Sequence, residues 1–465
     1  MQGWWRRAIG LIAASALALP LAVRAETDDA VMRRLKELED KVQYMGDLEQ
    51  EVKLLKRRVE VKEEAEASKG PAPLIGAGPD GFFLSSADKK WVLKFRGYYQ
   101  ADTRFYPSDG DHGSVDTFLF RRIRPIFDGT LAEWIDFRVM PDFAGSNLVV
   151  QDVWANLHPF GPLVQFQGGK FKAPFGLERL QSATAITFIE RSLPTNLVPN
   201  RDIGFMLWGD WDSGFLTYQL AAMNGVTDGS SADTDTNDAK DLLARVFAKP
   251  FQDTTIEALQ GLGVGVAVNW GHENSTPANY RTAGQQTFFS WASGVQLDED
   301  RLRISPQFNY YWGPFGMMGE YVVSNQTLNN GRNHEDDADV QAWQLTASWV
   351  LTGENASFNG VTPRSPFSPH DGGLGAFEVA ARVGELWVPD EVFDKGYANP
   401  QTSARTATEA GIGLNWYLNR WLKLAVNYDR TWFDGGARGS TLGTGNPIAD
   451  RETEHFIATR FQFSY

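Results

Sequence analysis

Two periodicities divide the chain. Between residues 31 and 59 apolar side chains recur every three or four positions, and from residue 91 to the C-terminus they recur every second position. The first pattern predicts a coiled-coil helix. Val31, Leu35, Leu38, Val42 and Met45 step by 4, 3, 4 and 3, and Leu48, Val52, Leu55 and Val59 step by 4, 3 and 4. Between Met45 and Leu48 the step is only 3, a phase shift around Gly46 that overwinds a supercoil locally. The seam is roughly 43 Å long, and a single helix cannot bury it alone. Two readings stay open here: self-association, or a lone amphipathic helix lying on whatever follows.

The second pattern predicts strands. Trp91, Leu93, Phe95, Gly97, Tyr99, Ala101 and Phe105 alternate with Lys94, Arg96, Tyr98, Gln100, Asp102 and Arg104. Near the other end, Ala410, Ile412, Leu414 and Trp416 alternate with Gly411, Gly413, Asn415 and Tyr417. A tight turn at Asn419-Arg420 then leads into Leu422, Leu424, Val426 and Tyr428. These runs exceed the five or six residues of an ordinary strand and reach the 9 to 11 or so needed to cross a bilayer at a tilt. Each strand has one apolar face and one charged face, as a membrane barrel requires.

Seventeen such segments can be counted from residue 91 onward, but an antiparallel barrel closes only on an even number. Loop lengths locate the surplus. Counting forward, short turns at 129–131, 159–162 and 211–212 alternate with long loops at 172–201 and 224–240. Counting backward from the turn at 419, long loops fall at 387–406 and 434–453. The two counts clash between 271 and 300, and treating Thr287–Gln296 as a hairpin arm inside one long external loop leaves sixteen strands. The connection at 352–373 is long for a periplasmic turn, and the pattern gives no account of it.

The ends set compartment and boundaries. Arg6 and Arg7, the apolar run Ala8 to Leu19, and Val23-Arg24-Ala25 form an export signal with a cleavage site after residue 25. The expected organisation is a signal peptide at 1–25, a periplasmic coiled coil at 26–69, a linker at 70–90 and an outer-membrane barrel at 91–465. The last residues, Arg460-Phe461-Gln462-Phe463-Ser464-Tyr465, alternate polar with aromatic and end on an aromatic. Cysteine is absent, so stability must come from packing and a closed hydrogen-bonded sheet. Sixteen Trp, 13 Tyr and 30 Phe suit the two aromatic girdles of such a barrel. The fold class expected is all-β: a 16-stranded antiparallel transmembrane β-barrel preceded by an N-terminal α-helical coiled coil.

Charge adds the candidate chemistry. The net charge is -14, yet the faces that would line the lumen are basic. Lys94, Arg96 and Arg104 belong to the first strand. On the second, Leu119, Ile123, Pro125 and Phe127 are assigned to lipid and Arg122 and Arg124 to the lumen, with Arg121 out of pattern and near the interface. Arg138 follows on the third. On the fifth, a bulge at Gly168-Gly169 would bring Gln165, Gln167, Lys170 and Lys172 to one face. Arg382 and Arg460 complete the set. Acidic residues crowd two external loops, Asp228 to Asp241 and Glu335 to Asp339. Permeation depends on the local field between low-dielectric walls, not on net charge, and rings of Arg and Lys suit an anion or phosphate pore. Against that, Asp102, Asp136, Asp142, Asp152 and Glu378 are placed to pair with these bases. The basic, aromatic segment 173–201 is long enough to fold into a lumen and set what passes. Within it Glu178, Arg179, Glu190 and Arg191 either pair with one another or leave the two arginines free for an anion.

Enzyme chemistry is not expected. His112, His158, His272, His334, His370 and His455 form no HExxH pair, and no GxSxG turn occurs. The glycines of GLGVGV at 261–266 sit inside a strand with no helix after them. No cofactor, metal or nucleic-acid partner is expected.

GGKFKAPFGLERLQS (168–182) and FIERSLPTNLVPNRDIG (188–204) resemble the core of the phosphate-selective porin O and P family. So do Phe120 to Arg124, SPQFNYYWGPFGMMGEY (305–321), GAFEVAARVGEL (375–386) and LNWYLNRWLKLAVNYDRTWFD (414–434). The resemblance implies a trimeric sixteen-stranded barrel in the outer membrane of a Gram-negative bacterium, with an inward-folded third external loop. It also implies passive, anion-selective diffusion, with phosphate, pyrophosphate or chloride as the small inorganic anions carried. In that family, lumen arginines lead to lysines at the constriction, and Lys170, Lys172, Arg122 and Arg124 stand in matching motif positions. The expected anion-binding and pore-lining residues are Lys94, Arg96, Arg122, Arg124, Arg138, Lys170, Lys172, Arg179, Arg191 and Arg382. The alternative is a weakly selective general diffusion porin whose coil also tethers it to the cell wall or a periplasmic partner.

Overall fold

The computed structural model describes residues 28–68, 72–78, 81–107, 114–235, 237–331, 335–437 and 450–465. The export signal expected at 1–25 lies outside the described residues. The chain divides into two units, Met1–Ala72 and Pro73–Tyr465. The first contains one helix, α1 (Asp28–Ser68), 41 residues long. Its apolar seam is exposed along its whole length, from Val31 to Val59.

The second unit is a sheet. A hairpin of β1 (Leu74–Gly78) and β2 (Gly81–Ser85) comes first. Then follow β3 (Val92–Phe105), β4 (Thr117–Leu131), β5 (Ile135–Asp142), β6 (Val149–Leu157), β7 (Gln165–Lys172), β8 (Arg201–Trp211), β9 (Leu216–Met223), β10 (Asp241–Ala248) and β11 (Leu262–His272). A two-stranded insert, β12 (Tyr280–Arg281) and β13 (Thr287–Phe289), interrupts the order. The sheet resumes with β14 (Gln296–Trp312), β15 (Phe315–Asn329), β16 (Glu335–Val350), β17 (Ala376–Trp387), β18 (Ala404–Tyr417), β19 (Leu422–Gly435) and β20 (Glu454–Ser464). Each strand pairs antiparallel with its sequence neighbour, and β20 pairs with β3 from Ile457↔Phe105 to Ser464↔Tyr98. That last ladder closes a barrel of sixteen strands, so that β3 and β20 are no longer edges.

The alternation read from the sequence sorts the faces. Burial in β3 alternates from Tyr98 to Phe105, with the even positions inside. On the outer face Phe118 is 77% exposed, Ile412 63% and Phe205 60%, the values of side chains that meet lipid rather than protein. Tyr99, Phe461 and Phe463 cluster beside the closing seam, with ring centroids 5.7 Å apart. Of the segment Thr287–Gln296, all but Gln296, the first residue of β14, falls within the external connection between β11 and β14, as the loop count required.

Four local expectations are corrected. Residues 74–85 are a hairpin rather than linker, and β2 continues the edge of β3 beyond the reach of β20, pairing Phe82↔Phe95 to Ser85↔Val92. Glu335 to Asp339 are not loop but the start of β16, laid against β15 from Asn329↔Glu335 onward. The bulge lies on β4 rather than at Gly168-Gly169: Gln100 faces Arg122 while Ala101 faces Phe120, so Arg121 is the extra residue. It therefore turns Arg121 into the lumen, exposes Phe118 and Phe120 outward, and takes Leu119 off the lipid face. On β7 pairing is continuous with both neighbours, and the exchange of faces comes from Gly169 at φ 127°, where a Cβ would lie 2.2 Å from the Val153 carbonyl oxygen.

The connection at 351–375 also finds its explanation. Ala356 and Val361 pack with Val350, Ala376 and Tyr417, and Phe358 packs against Leu177, Phe247 and Met318. This periplasmic segment folds upward into the barrel instead of hanging from its rim.

Candidate functional site

Residues 173–200 cross the barrel interior. The segment leaves β7, and its short helix α2 (Leu177–Leu180) meets the far wall where Glu320 accepts from the amides of Leu177 at 2.7 Å and Glu178 at 3.2 Å. Further along, Ile189 N donates to Asn427 Oδ1 at 2.6 Å, Asn415 donates to the Thr187 carbonyl at 2.9 Å, and Lys423 donates to the Ile186 carbonyl at 2.9 Å. On the near wall Gln100 and Gln462 donate to the carbonyls of Ala183 at 2.9 Å and Thr184 at 3.1 Å. Gly411 makes room for this crossing: a Cβ there would sit 3.0 Å from the Phe188 ring and 2.2 Å from Asp429. From below, the Phe358 carbonyl of the inserted periplasmic segment accepts from Gln181 at 2.9 Å. The loop's backbone is thus satisfied by wall side chains on both sides, as backbone taken from bulk water must be.

What stays open is a cavity of about 1440 Å³ running along the β3 to β8 wall. Asn279, Arg281 and Ser230 line one end, and Lys94, Arg138, Arg420 and Tyr465 line the other. Thirteen lysine and arginine side chains line it against six aspartates and glutamates, an excess of seven positive charges in a chain whose net charge is -14. Nine of the ten predicted residues are there: Lys94, Arg96, Arg122, Arg124, Arg138, Lys170, Lys172, Arg179 and Arg191. Arg382 is not. It is fully buried beneath the loop, paired with Asp429 at 2.9 Å and Glu409 at 3.3 Å, donating to the Glu190 carbonyl and capped by the Phe188 ring. A lumen-facing strand position was legible in the sequence; that the loop would cover this one was not.

Sequence reasoning missed four lining cations. Arg121 was hidden by the bulge, Arg201 begins the strand after the loop, and Arg281 and Arg420 belong to connections. Strand periodicity carries no information about the last two.

Ten of the interior cations sort into two groups. In the first, a wall cation meets a carboxylate. Arg96 and Arg138 share Asp128 at 2.5 and 2.6 Å, Arg124 pairs with Asp142 at 2.7 Å, Arg201 with Asp152 at 2.8 Å, and Arg460 grips Asp102 with two bonds of 2.7 and 2.6 Å. Lys170 pairs with Asp233 of the 224–240 loop. The second group meets carbonyls. Lys172 donates to the carbonyls of Leu180 at 3.1 Å and Gln181 at 2.8 Å, Arg179 to that of Thr195 at 2.8 Å, and Arg191 to those of Glu178 at 2.9 Å and Gln181 at 2.8 Å. Arg122 donates to the Gln100 side-chain oxygen at 2.7 Å. Among the described residues none of these four has a carboxylate at ion-pair distance.

The two glutamates of the loop pair elsewhere. Glu178 accepts from the amide and hydroxyl of Ser192, and Glu190 accepts from Arg104 at 2.8 Å and Arg121 at 2.6 Å. Burial pushes the Glu190 carboxyl up, but Arg121, Arg122 and Arg460 outweigh it and hold the group well below the usual carboxylate range. Burial, then Arg191 and Arg201, lower Arg179 to about 9. Burial, offset in part by Glu178 and reinforced by Arg201, lowers Arg191 to about 10. Both remain charged at neutral pH. The arrangement therefore gathers Arg122, which is buried, with the half-buried Lys172, Arg179 and Arg191, none at ion-pair distance from a carboxylate among the described residues, beside wall cations that are paired.

A closed barrel with an apolar outer face, a polar interior and an external loop folded through it is an outer-membrane porin. The chain belongs to the phosphate-selective porin O and P family, whose sequence model matches residues 93–465. It is 23% identical over 422 residues to Porin O of Pseudomonas aeruginosa, covering 83% of this chain and 91% of that one. In fold it is similar to OmpT, an outer membrane protein of Vibrio cholerae, with a TM-score of 0.50 at 10% identity, covering 82% of this chain and 99% of the other. It is also similar to OprB of Pseudomonas putida, with a TM-score of 0.50 at 9% identity, covering 81% and 95%. Family and barrel make the protein an anion porin of a Gram-negative outer membrane, a channel embedded in lipid rather than an enzyme.

Proposed function

We propose that the channel is selective for phosphate and related small anions, and that the 173–200 loop forms its constriction. The observation that carries this is the set of Lys172, Arg179 and Arg191 donating only to carbonyl oxygens. A carbonyl satisfies geometry but not charge, so a passing anion gains attraction without displacing a carboxylate. Arginine offers a planar fork that matches phosphate oxygens, while lysine holds an ion as a point charge and releases it readily. The neutralised arginines on either side line the approach, and the field between low-dielectric walls concentrates anions toward the narrow part. No bond is made or broken; the anion runs down its gradient.

Reversal potentials of single channels in a salt gradient test the selectivity, and the expected sign is that of an anion channel. Phosphate at low concentration is expected to block chloride current, because an ion that lingers obstructs one that does not. Lys170→Glu or Lys172→Glu should weaken both effects. Chloride current indifferent to phosphate would leave an anion channel without phosphate preference. That is the weakly selective reading, which the pairing of Asp128, Asp142 and Asp152 with wall arginines favours. A homotrimer is the proposed assembly, in keeping with the family resemblance, and the native mass of the detergent-solubilised protein reads it directly.

A further inference from the structure

The long helix α1 is a surface without an occupant. It is 41 residues long, and every residue of its seam is exposed, from Val31 at 44% to Val42 at 67%. Helices of this kind bury such a seam against other helices. We propose that the occupant is the same helix of further copies of this chain, parallel and in register.

Charge pattern is the first argument. With Leu38 and Leu55 at d positions and Val42 and Val52 at a positions, the flanking g and e positions follow. In a parallel coil a g residue faces the e residue five places later on its neighbour. Those pairs are Arg34 with Glu39, Glu51 with Lys56, and Arg58 with Glu63. All three are opposite in sign, and the remaining pair, Lys41 with Gly46, is neutral. Like charges at these positions would disfavour association, and none occurs.

The phase break is the second. Met45 and Leu48 are three residues apart around Gly46, so the supercoil must overwind at that height. A partner with an unbroken heptad repeat would lose its seam contact on one side of the break. A second copy in register carries the same break at the same level.

Attachment is the third. The helix ends at Ser68 and β1 begins at Leu74, so residues 69–73 connect them with a reach of at most about 20 Å. The helix itself is about 60 Å long. Since β1 is bonded through β2 to the barrel, it is the C-terminal end of the helix that is tethered in every copy, which favours one common direction.

The absence of cysteine supplies the test, because any introduced thiol is the only one in the chain. Leu38→Cys, Leu55→Cys and, on the outer side of the helix, Arg57→Cys are each expressed in the full-length protein and oxidised in isolated outer membranes. Heat-modifiable migration of the barrel serves as the folding control. Parallel packing is expected to join most chains to one another in both leucine variants, with little product from Arg57→Cys. Equal linkage in all three would mean random collision and overturn the proposal. A thiol at 38 that joins only a thiol at 55 in mixed chains would make the coil antiparallel, and linkage to a different protein would replace the occupant. None of these outcomes depends on the transport reading, which the conductance measurements test separately.

Discussion

Arg121 Nε donates to Glu190 Oε1 at 2.6 Å, joining the inserted extra residue of β4 to the tip of the loop that crosses the lumen. Arg104 of β3 reaches the same oxygen at 2.8 Å. Without the bulge, Arg121 would point to lipid and the loop would lose one of its two short charge-assisted ties to this wall. Breaking a buried pair costs on the order of 3 kcal/mol, because the partner charge is left uncompensated. Glu190→Gln should therefore loosen the loop, raise single-channel conductance and broaden the size of permeating anions. The pH dependence follows from the lowered Glu190 carboxyl. A depressed carboxylate contributes its stabilisation fully above the ordinary glutamate value of about 4.3 and loses it as pH falls through the lowered value. The Glu190-dependent part of the conductance, read as the difference between wild type and Glu190→Gln, should thus hold steady from neutral pH down to that ordinary value and change only in stronger acid. A difference that already closes at mildly acidic pH would refute the assignment.

Removing a cation should matter according to its partner. Arg191 faces only carbonyl oxygens, whereas Arg124 is paired with Asp142 at 2.7 Å. Arg191→Gln is expected to raise the half-blocking phosphate concentration about tenfold or more, the loss of a charge-assisted hydrogen bond of ~1.5 kcal/mol. Arg124→Gln should weaken block less, since it also leaves Asp142 free to repel anions only at the edge of the cluster. Titrating phosphate against chloride current in both variants ranks them.

Lys170 offers the opposite manipulation. Its ammonium is occupied by Asp233, a carboxylate on the external 224–240 loop whose side chain is 65% exposed. An exposed partner contributes no more than about 1 kcal/mol, so Asp233→Asn should lower the half-blocking phosphate concentration by no more than about fivefold. High salt should erase the difference, as expected for a screened charge. An unchanged block at low salt would show that Lys170 does not meet the permeating ion.

Gly169 is a structural prediction about the same strand. At φ 127°, with the Val153 carbonyl 2.2 Å from where a Cβ would lie, no other residue fits without moving β6. Gly169→Ala should destabilise the barrel by roughly 2 kcal/mol or more. The lysines beyond it should be displaced as well. The temperature at which the folded band is lost on gels reports the first effect and phosphate block the second. Gly145, also at positive φ but with open space around it, is the control position, and Gly145→Ala should cost less.

The sequence determined the class of fold, the strand count and the sign of the lumen. Alternation in β3, β18 and β19 is a local consequence of one wet and one lipid face, so side chain after side chain repeats the same information. The even-number rule for closure then corrected the count around residue 290. Seven of the ten named cations line the cavity for the same reason, since a charged residue at an inward strand position has nowhere else to go, and Arg179 and Arg191 line it because their loop enters the lumen. The tertiary structure decided everything that breaks the repeat. A single inserted residue turned Arg121 inward, and one glycine torsion replaced the expected bulge on β7. The loop's path buried Arg382 while leaving Lys172, Arg179 and Arg191 facing carbonyls, and the 351–375 segment rose to meet it from below. Which cation keeps a counter-ion depends on contacts between residues far apart in the chain, such as Glu190 with Arg104 and Arg121. Periodicity is blind to those contacts, because it records which face a side chain occupies and not what stands opposite.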